Sequence, residues 1–244
     1  MSPDPEPRTI TVHTDADALA SAAAAETAAR LAERIADSGR AVLSLTGGSV
    51  GVRTAAALAA HAVDWERVTI YFGDERFVPA GDPERNDGQL DAALLDALGD
   101  RPTVHRWPAR TAEDSDVDAA AARFLDGLDL PEGDAPLFDV TLLGMGHEGH
   151  IDSIFPDSPA VAETDRLAVG VRDCPKPPPE RVTFTLPAVR RSRHVYVVAA
   201  GAEKAEAVAR AVAGAAPSDW PVAGAVGRES TVFFLDEASA SQLG

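Results

Sequence analysis

A histidine among glycines is the residue of this sequence best suited to proton transfer. It lies in the segment Leu143 to Pro156, which reads LGMGHEGHIDSIFP and has three glycines within six residues. An apolar run precedes these glycines, which let several backbone N–H groups face one direction, as an oxyanion or another anion requires. The neutral imidazole of His150 can accept a proton from water near neutral pH. We predict His150 as a catalytic base, Glu148 as the carboxylate that orients its ring, and Gly146 as part of the anion cradle.

A metal site is one alternative for this segment, and a purely structural histidine is another. His147 and His150 are three residues apart with a glycine between them, which differs from the helical His-Glu-x-x-His pattern of zinc enzymes. The segment also lacks a further histidine or cysteine as a third ligand. A polar residue among glycines is poorly suited to an apolar core. We therefore predict no metal here.

Two more segments follow apolar runs and suit an anion. Gly47, Gly48 and Ser49 lie between a predicted strand and a predicted helix, where glycines and free helix N–H groups can bind phosphate. The alternative is a tight turn with Ser49 as the helix N-cap. In the second segment, Gly73-Asp74-Glu75-Arg76, Arg76 can grip a phosphate with two parallel donors, and Asp74 can orient it or point into the site.

The second segment also has an alternative reading, and three residues elsewhere are weaker candidates. The segment could be a surface loop with an internal Asp–Arg pair. Asn86 either closes over the same site or caps a helix. Arg181 alternates with Thr183 and Thr185 on one strand face, which contacts substrate or forms a half-exposed edge. Lys204 begins a predicted helix, where a cation opposes the helix dipole and so hints at an anionic ligand.

The elements that must position these residues alternate between strand and helix. A helix from Asp15 has Leu19, Ala23, Thr27, Leu31 and Ile35 on one face, with Thr14 or Asp15 as its N-cap and Gly39 just after its end. Further predicted strands are 41–46, 68–72, 103–107, 138–143, 181–186, 194–199 and 231–235, and further predicted helices are 54–61, 86–98, 116–128 and 203–213. This order predicts an α/β fold with a largely parallel sheet, whose ligands bind at the carboxyl ends of the strands.

Composition restricts the partners. The formal net charge of −17 repels DNA, RNA and anionic lipid, so we predict no nucleic-acid or membrane partner. An anionic substrate then requires a local cluster of Arg, Lys and N–H groups. Cys174 is the one cysteine of the chain, which fits a reduced cytoplasmic compartment. Residues 1–8 read as a disordered lead without the apolar core of a signal peptide, and residues 9–244 as a single domain.

In order along the chain, these motifs resemble the 6-phosphogluconolactonase family, which shares its fold with glucosamine-6-phosphate deaminases and isomerases. The resemblance runs from about residue 10 to residue 236 and is most specific in the segment around His150. Deaminases of this fold carry Phe-Asn-Glu-Pro where this chain reads Ser153-Ile154-Phe155-Pro156. The resemblance implies a Rossmann-like three-layer sandwich and a hydrolase without a cofactor. It also implies His150 as the base, with Arg76, Lys204 and the Gly47–Ser49 turn on the phosphate.

The implied reaction is hydrolysis of 6-phospho-D-glucono-1,5-lactone in the oxidative pentose phosphate pathway, by a monomer. Asp152 departs from the family, which usually has a small residue there; it either raises the pKa of His150 or faces solvent. An isomerase or deaminase would instead use Asp152, Glu148 or Asp74 as a carboxylate base. A sugar-phosphate-binding regulator would keep Arg76 and Lys204 but would not need His150.

Overall fold

Strands and helices alternate through residues 8–244, the part of the chain that the computed structural model describes. The strands are β1 (Thr9–His13), β2 (Ala41–Leu45), β3 (Val68–Phe72), β4 (Asp74–Arg76), β5 (Thr103–His105), β6 (Phe138–Gly144), β7 (Ala168–Val171), β8 (Arg181–Phe184), β9 (Ser192–Ala199) and β10 (Ser230–Asp236). The helices are α1 (Ala16–Ser38), α2 (Gly48–Leu58), α3 (Asn86–Leu90), α4 (Asp96–Leu98), α5 (Val117–Asp126), α6 (Leu186–Val189) and α7 (Ala205–Val212). A π-helical turn, Asp91–Leu95, joins α3 to α4.

The central sheet has the strand order β1-β10-β9-β6-β2-β3-β5, and all its neighbouring strands are parallel. Its two faces carry separate apolar clusters. Tyr196 and Val198 of β9 pack in one cluster with residues of α1 and α2. Val195 and Val197 of the same strand pack in the other with residues of α7. This arrangement confirms the predicted α/β three-layer fold with a largely parallel sheet.

Helix α1 follows its sequence signals closely. The Asp15 carboxylate caps its start by accepting hydrogen bonds from the backbone N–H groups of Asp17 and Ala18, at 3.0 and 2.8 Å. Gly39 ends it with φ 78°, a left-handed conformation that glycine adopts without strain. Of the two predicted N-cap residues, the structure therefore selects Asp15.

A second, antiparallel sheet with the order β4-β8-β7 overturns two expectations. The segment Asp74–Arg76, predicted as a loop, is strand β4 and pairs with β8 in a register that sets Arg76 opposite Arg181. The segment 181–186, predicted as a strand of the parallel sheet, lies in this small sheet instead. It ends at Phe184 because Thr185 caps α6 with its side chain.

Other differences concern strand and helix ends. The predicted helix 54–61 begins earlier, at Gly48, and the predicted helix 203–213 begins later, at Ala205, after a 3₁₀ turn. The predicted strand 103–107 ends at His105, and the buried Trp107 beyond it donates its indole N–H to the carbonyl of Phe72 at 2.7 Å. Strands β1 and β7 were not predicted; both are short and lie at sheet edges.

Most of the predicted lead lies outside the described residues. Arg8 is described, and its guanidinium donates to the carbonyls of Ala211 and Ala223 at 2.5 Å each. Between residues 8 and 244, no helix is both long and apolar enough to cross a bilayer.

Candidate active site

The predicted site loops meet at one edge of the parallel sheet. Strands β9, β6, β2 and β3 are neighbours in the sheet, and the loops after their carboxyl ends carry the candidate residues. A pocket of about 380 Å³ opens among these loops. A smaller recess of about 120 Å³ continues it and shares His150, Arg76 and Arg181 with it. A cavity therefore lies at the carboxyl ends of the strands, where ligand binding was expected.

A larger cavity, about 610 Å³, lies near the amino ends of the same strands. Its main charged groups pair with one another: Asp139 accepts from Arg34 at 2.9 Å and from the backbone N–H of Val42 at 2.8 Å, and Arg193 lies 3.2 Å from it. Because these charges neutralise each other, we assign the chemistry to the smaller pocket.

His150, Glu148 and Lys176 form a compact charged cluster in this pocket. The Nδ1 atom of His150 lies 3.2 Å from Oε2 of Glu148 and 3.4 Å from Nζ of Lys176. Lys176 also forms an ion pair of 2.9 Å with Oε1 of Glu148. The imidazole stacks on Phe155 with ring centroids 4.4 Å apart. Nδ1 either accepts a hydrogen bond from Lys176 or, when it carries the ring proton, faces the Glu148 carboxylate; the second tautomer leaves the lone pair on Nε2.

The cluster sets the charges of its members. Burial lowers the pKa of His150 below its ordinary value, and Lys176 acts in the same direction, while Glu148 and Asp74 partly oppose them. Burial alone would raise the pKa of Glu148, but its interactions with His150 and Lys176 outweigh this and hold that pKa well below its usual range. At neutral pH the histidine is therefore neutral and the glutamate ionised.

The glycines beside His150 give it room. A Cβ atom on Gly146 would overlap Nδ1 of His150 and the carboxylate of Glu148, and one on Gly149 would lie 2.8 Å from the Trp220 ring. The N–H of Gly146 donates to the carbonyl of His150 at 2.9 Å, and the N–H of Gly149 donates to that of Gly146 at 3.1 Å. These two N–H groups are thus used within the loop, while Gly146 itself lines the pocket, and its predicted part in an anion cradle stays a prediction.

Four basic side chains line the pocket: Arg76, Lys176, Arg181 and Lys204. They supply the local positive cluster that an anionic substrate of so acidic a protein requires. The chain has two lysines, Lys176 and Lys204, and both line this pocket. Lys176 was not among the predicted site residues, although the scarcity of lysine was a usable signal. Burial lowers the pKa of Lys204, and the like charge of Lys176 adds to the effect, while Glu203 and Glu148 oppose it.

The glycine turn after β2 also lines the pocket, through Gly47, Gly48 and Ser49. Gly47 is the N-cap of α2 and has no side chain to offer the first N–H groups of the helix. Ser49 is therefore not the N-cap, contrary to one of the two readings. Gly48 has φ 77°, which turns the chain sharply into the helix.

A polar network of Asp74, Asn86 and Ser153 forms the wall of the recess. The Asp74 carboxylate accepts from Nδ2 of Asn86 at 2.9 Å and from Oγ of Ser153 at 2.6 Å. The side-chain oxygen of Asn86 accepts from Arg76. Asn86 is thus the first residue of α3 rather than its N-cap, and it links Asp74 to Arg76. The direct Asp74–Arg76 pair of the alternative reading is replaced by this bridge.

Arg181 is not on a half-exposed edge, as one reading expected. It is 4% exposed, and its guanidinium donates to the carbonyls of Lys176, Pro177 and Pro178. These bonds hold the loop that presents Lys176 to His150. One terminal nitrogen of Arg181 lies 4.0 Å from Asp74 and lines the recess.

Among the residues described, no group of three or more His, Cys, Asp or Glu side chains has the arrangement of a metal site. His147 is 64% exposed at its side chain and lies 3.3 Å from Glu148. The two histidines therefore share one oxygen of the Glu148 carboxylate.

Comparison with known proteins identifies the chain at two levels. The model of the family of glucosamine-6-phosphate isomerases and 6-phosphogluconolactonases matches residues 14–234, so the chain belongs to this class of α/β enzymes. Among its relatives, the 6-phosphogluconolactonase of Streptomyces coelicolor is 46% identical, over 96% of this chain and 94% of its own length. That of Mycobacterium leprae is 44% identical, over 96% and 98%.

Solved structures agree with these relatives. The crystal structure of a 6-phosphogluconolactonase from Shewanella baltica has a TM-score of 0.83 and 25% identity, covering 95% of this chain and 98% of that chain. The predicted family and the predicted enzyme class, a 6-phosphogluconolactonase-type hydrolase, are thereby confirmed.

Proposed function

We propose that the chain hydrolyses 6-phospho-D-glucono-1,5-lactone to 6-phospho-D-gluconate in the oxidative pentose phosphate pathway, with His150 as general base. One observation carries the proposal. The neutral imidazole of His150, with Nδ1 beside the Glu148 carboxylate, lines the same pocket as Arg76, Lys176 and Lys204. A proton acceptor and an anion-binding cluster therefore share one cavity.

Substrate binding rests on the basic wall of this pocket. The phosphate binds to Lys204, Arg76 and the free N–H groups at the start of α2, where the helix dipole is positive. The lactone then extends toward the recess and His150. Binding through a remote phosphate fixes the reacting carbonyl against the base and so lowers the entropic part of the barrier.

Hydrolysis then proceeds in two proton transfers. Nε2 of His150 takes a proton from a water molecule as the water oxygen attacks the lactone carbonyl. The charge on the carbonyl oxygen is stabilised by the positive field of Lys176 and Arg181. As the bond from the carbonyl carbon to the ring oxygen breaks, His150 returns the proton to that oxygen, which becomes a hydroxyl. Glu148 stabilises the transient imidazolium.

The test is lactone opening by His150→Ala, with His147→Ala as the matched control. Acid release from freshly made substrate is followed with a pH indicator, and spontaneous hydrolysis is subtracted. General base catalysis contributes about 10²- to 10⁴-fold, so His150→Ala should lose at least about 100-fold in kcat. His147 is largely exposed, so its variant should keep near wild-type turnover.

Chelator should leave both the wild type and the control unchanged. Near wild-type turnover by His150→Ala would remove His150 from the mechanism. Release of ammonia or of a ketose from amino-sugar or aldose phosphates would instead favour the deaminase or isomerase branch. We also expect a monomer in the cytoplasm, which sedimentation and cell fractionation would check.

A further inference from the structure

Asp152 is a buried carboxyl group that the proposed mechanism does not use. It is 8% exposed and lines the recess beside His150, Arg76 and Asn86. Both of its carboxyl oxygens lack a hydrogen-bond partner within residues 8–244. An unpartnered buried polar group costs stability, so its presence calls for a function.

The backbone around Asp152 is arranged to present this group to the recess. Its φ is 47°, in the left-handed region that aspartate tolerates better than most side chains. The carboxyl lies directly against Gly73, where a Cβ atom would be 2.6 Å from Oδ2 of Asp152. The missing side chain at position 73 thus creates the space that the Asp152 carboxyl fills.

Two carboxyl groups, Asp74 and Asp152, line the recess, and they differ in their hydrogen bonds. Asp74 accepts bonds from Ser153 and Asn86 and lies 4.0 Å from Arg181. Burial first, and the charge of Asp74 second, raise the pKa of Asp152 well above its ordinary value, and the Thr46 side chain opposes them only in part. Burial and the nearby Asp74 thus favour the neutral form of Asp152, which has one donor and one acceptor to offer.

We propose that Asp152 is a specificity-determining residue that binds the substrate hydroxyl next to the lactone carbonyl. This inference rests on the proposed lactone hydrolysis. His150 must lie beside the carbonyl carbon to deliver water to it, and Asp152 lines the same recess as His150. The substituent nearest that carbon is the 2-hydroxyl, which donates one hydrogen bond and accepts another, as a neutral carboxyl does.

A neutral acid also fits the charge pattern of the site. An ionised carboxylate in the recess would repel both the phosphate and the developing oxyanion. A protonated one contributes a hydrogen bond without that repulsion, and it rejects a substrate that leaves it unpaired.

The test compares two substrates on three enzymes. The substrates are 6-phosphogluconolactone and its 2-deoxy analogue, and the enzymes are wild type, Asp152→Gly and Asp152→Asn. Glycine fits the left-handed backbone and removes the carboxyl, whereas asparagine keeps a donor and an acceptor in nearly the same shape.

We expect wild type to favour the complete substrate about tenfold in kcat/KM, which is the size of one net hydrogen bond. Asp152→Gly should lose about tenfold on the complete substrate and should treat both substrates alike. Asp152→Asn should keep most of the discrimination. The melting temperature of Asp152→Gly should stay level or rise, because the unpartnered carboxyl destabilises the free enzyme. A substrate-binding role predicts this result, whereas a structural role predicts a lower melting temperature.

The outcomes separate this inference from the function beneath it. A wild type without activity on the complete lactone would overturn both. An active wild type whose preference survives unchanged in Asp152→Gly, or that shows no preference at all, would overturn the hydroxyl contact alone. Equal losses on both substrates together with a lower melting temperature would show that Asp152 is structural.

Discussion

Replacing Glu148 with glutamine tests how the proposed base is held. The Glu148 carboxylate lies 3.2 Å from Nδ1 of His150, and the Lys176 ammonium lies 3.4 Å from the same atom. In the wild type the carboxylate favours the tautomer with the ring proton on Nδ1, which leaves Nε2 free to accept a proton from water. Without that charge, Lys176 can donate to Nδ1, and the ring proton moves to Nε2. The imidazole then presents a donor where the reaction needs an acceptor.

Two changes should follow, one in the plateau of kcat and one in the pKa of His150. The loss of a correctly oriented base should lower the plateau of kcat by about 100-fold. At the same time, the pKa of His150 should fall, because a negative neighbour has been removed and Lys176 remains. A charge-assisted hydrogen bond is worth about 1.5–3 kcal/mol, so the shift is about one to two pH units. Since the neutral ring is the active form, the acid limb of the kcat profile should move to lower pH.

The assay is kcat against pH for Glu148→Gln, Lys176→Gln and the double variant. The double variant should recover part of the lost plateau, because the glutamine oxygen can accept from Nδ1 once the ammonium is gone. Glu148→Asp keeps the negative charge, so the acid limb of its kcat profile should stay near the wild-type pH. An unchanged plateau and an unmoved acid limb in Glu148→Gln would refute the orienting role, and a limb displaced to higher pH would refute the electrostatic reasoning.

Three further predictions concern the surroundings of this cluster. Gly146→Ala should lose at least about 100-fold in kcat while staying folded, because the new methyl group overlaps the His150 ring. The control Gly88→Ala lies in an open part of α3, so it should stay active and gain about 0.5 kcal/mol of unfolding free energy. Glu75→Ala should lose at least about 3 kcal/mol in urea unfolding, because its carboxylate accepts three backbone N–H groups that would be left unpaired. Lys204→Ala should raise KM about tenfold with a smaller change in kcat, since it removes the positive charge that binds the phosphate, far from the reacting carbonyl. An unchanged KM would show that Lys204 does not bind the substrate.

The order of elements was readable because it depends on short-range signals. The four-residue spacing from Leu19 to Leu31, the Asp15 cap and the Gly39 end all act within a few residues, and α1 follows them. Buried parallel strands can also be recognised in the sequence as apolar runs. Strands β1 and β7 were not predicted, and both lie at sheet edges. Edge strands of this kind give little pattern in the sequence.

The small antiparallel sheet was not predictable from local pattern. Its register sets Arg76 opposite Arg181, and it depends on pairing between segments about a hundred residues apart. The same long-range arrangement brings Lys176 to Glu148 and His150. A lysine beside three prolines reads locally as part of a stiff loop, and only the bonds from Arg181 to the carbonyls of that loop fix where it lies.

The sequence by itself determined the fold class, the family and the proposed base His150, because strand–helix alternation and the glycine–histidine segment are properties of neighbouring residues. Tertiary structure alone decided their electrical states. Whether His150 is neutral, Glu148 ionised and Asp152 protonated depends on burial and on charges that distant segments bring within a few ångströms. Those interactions vary with distance in space, which position along the chain does not specify.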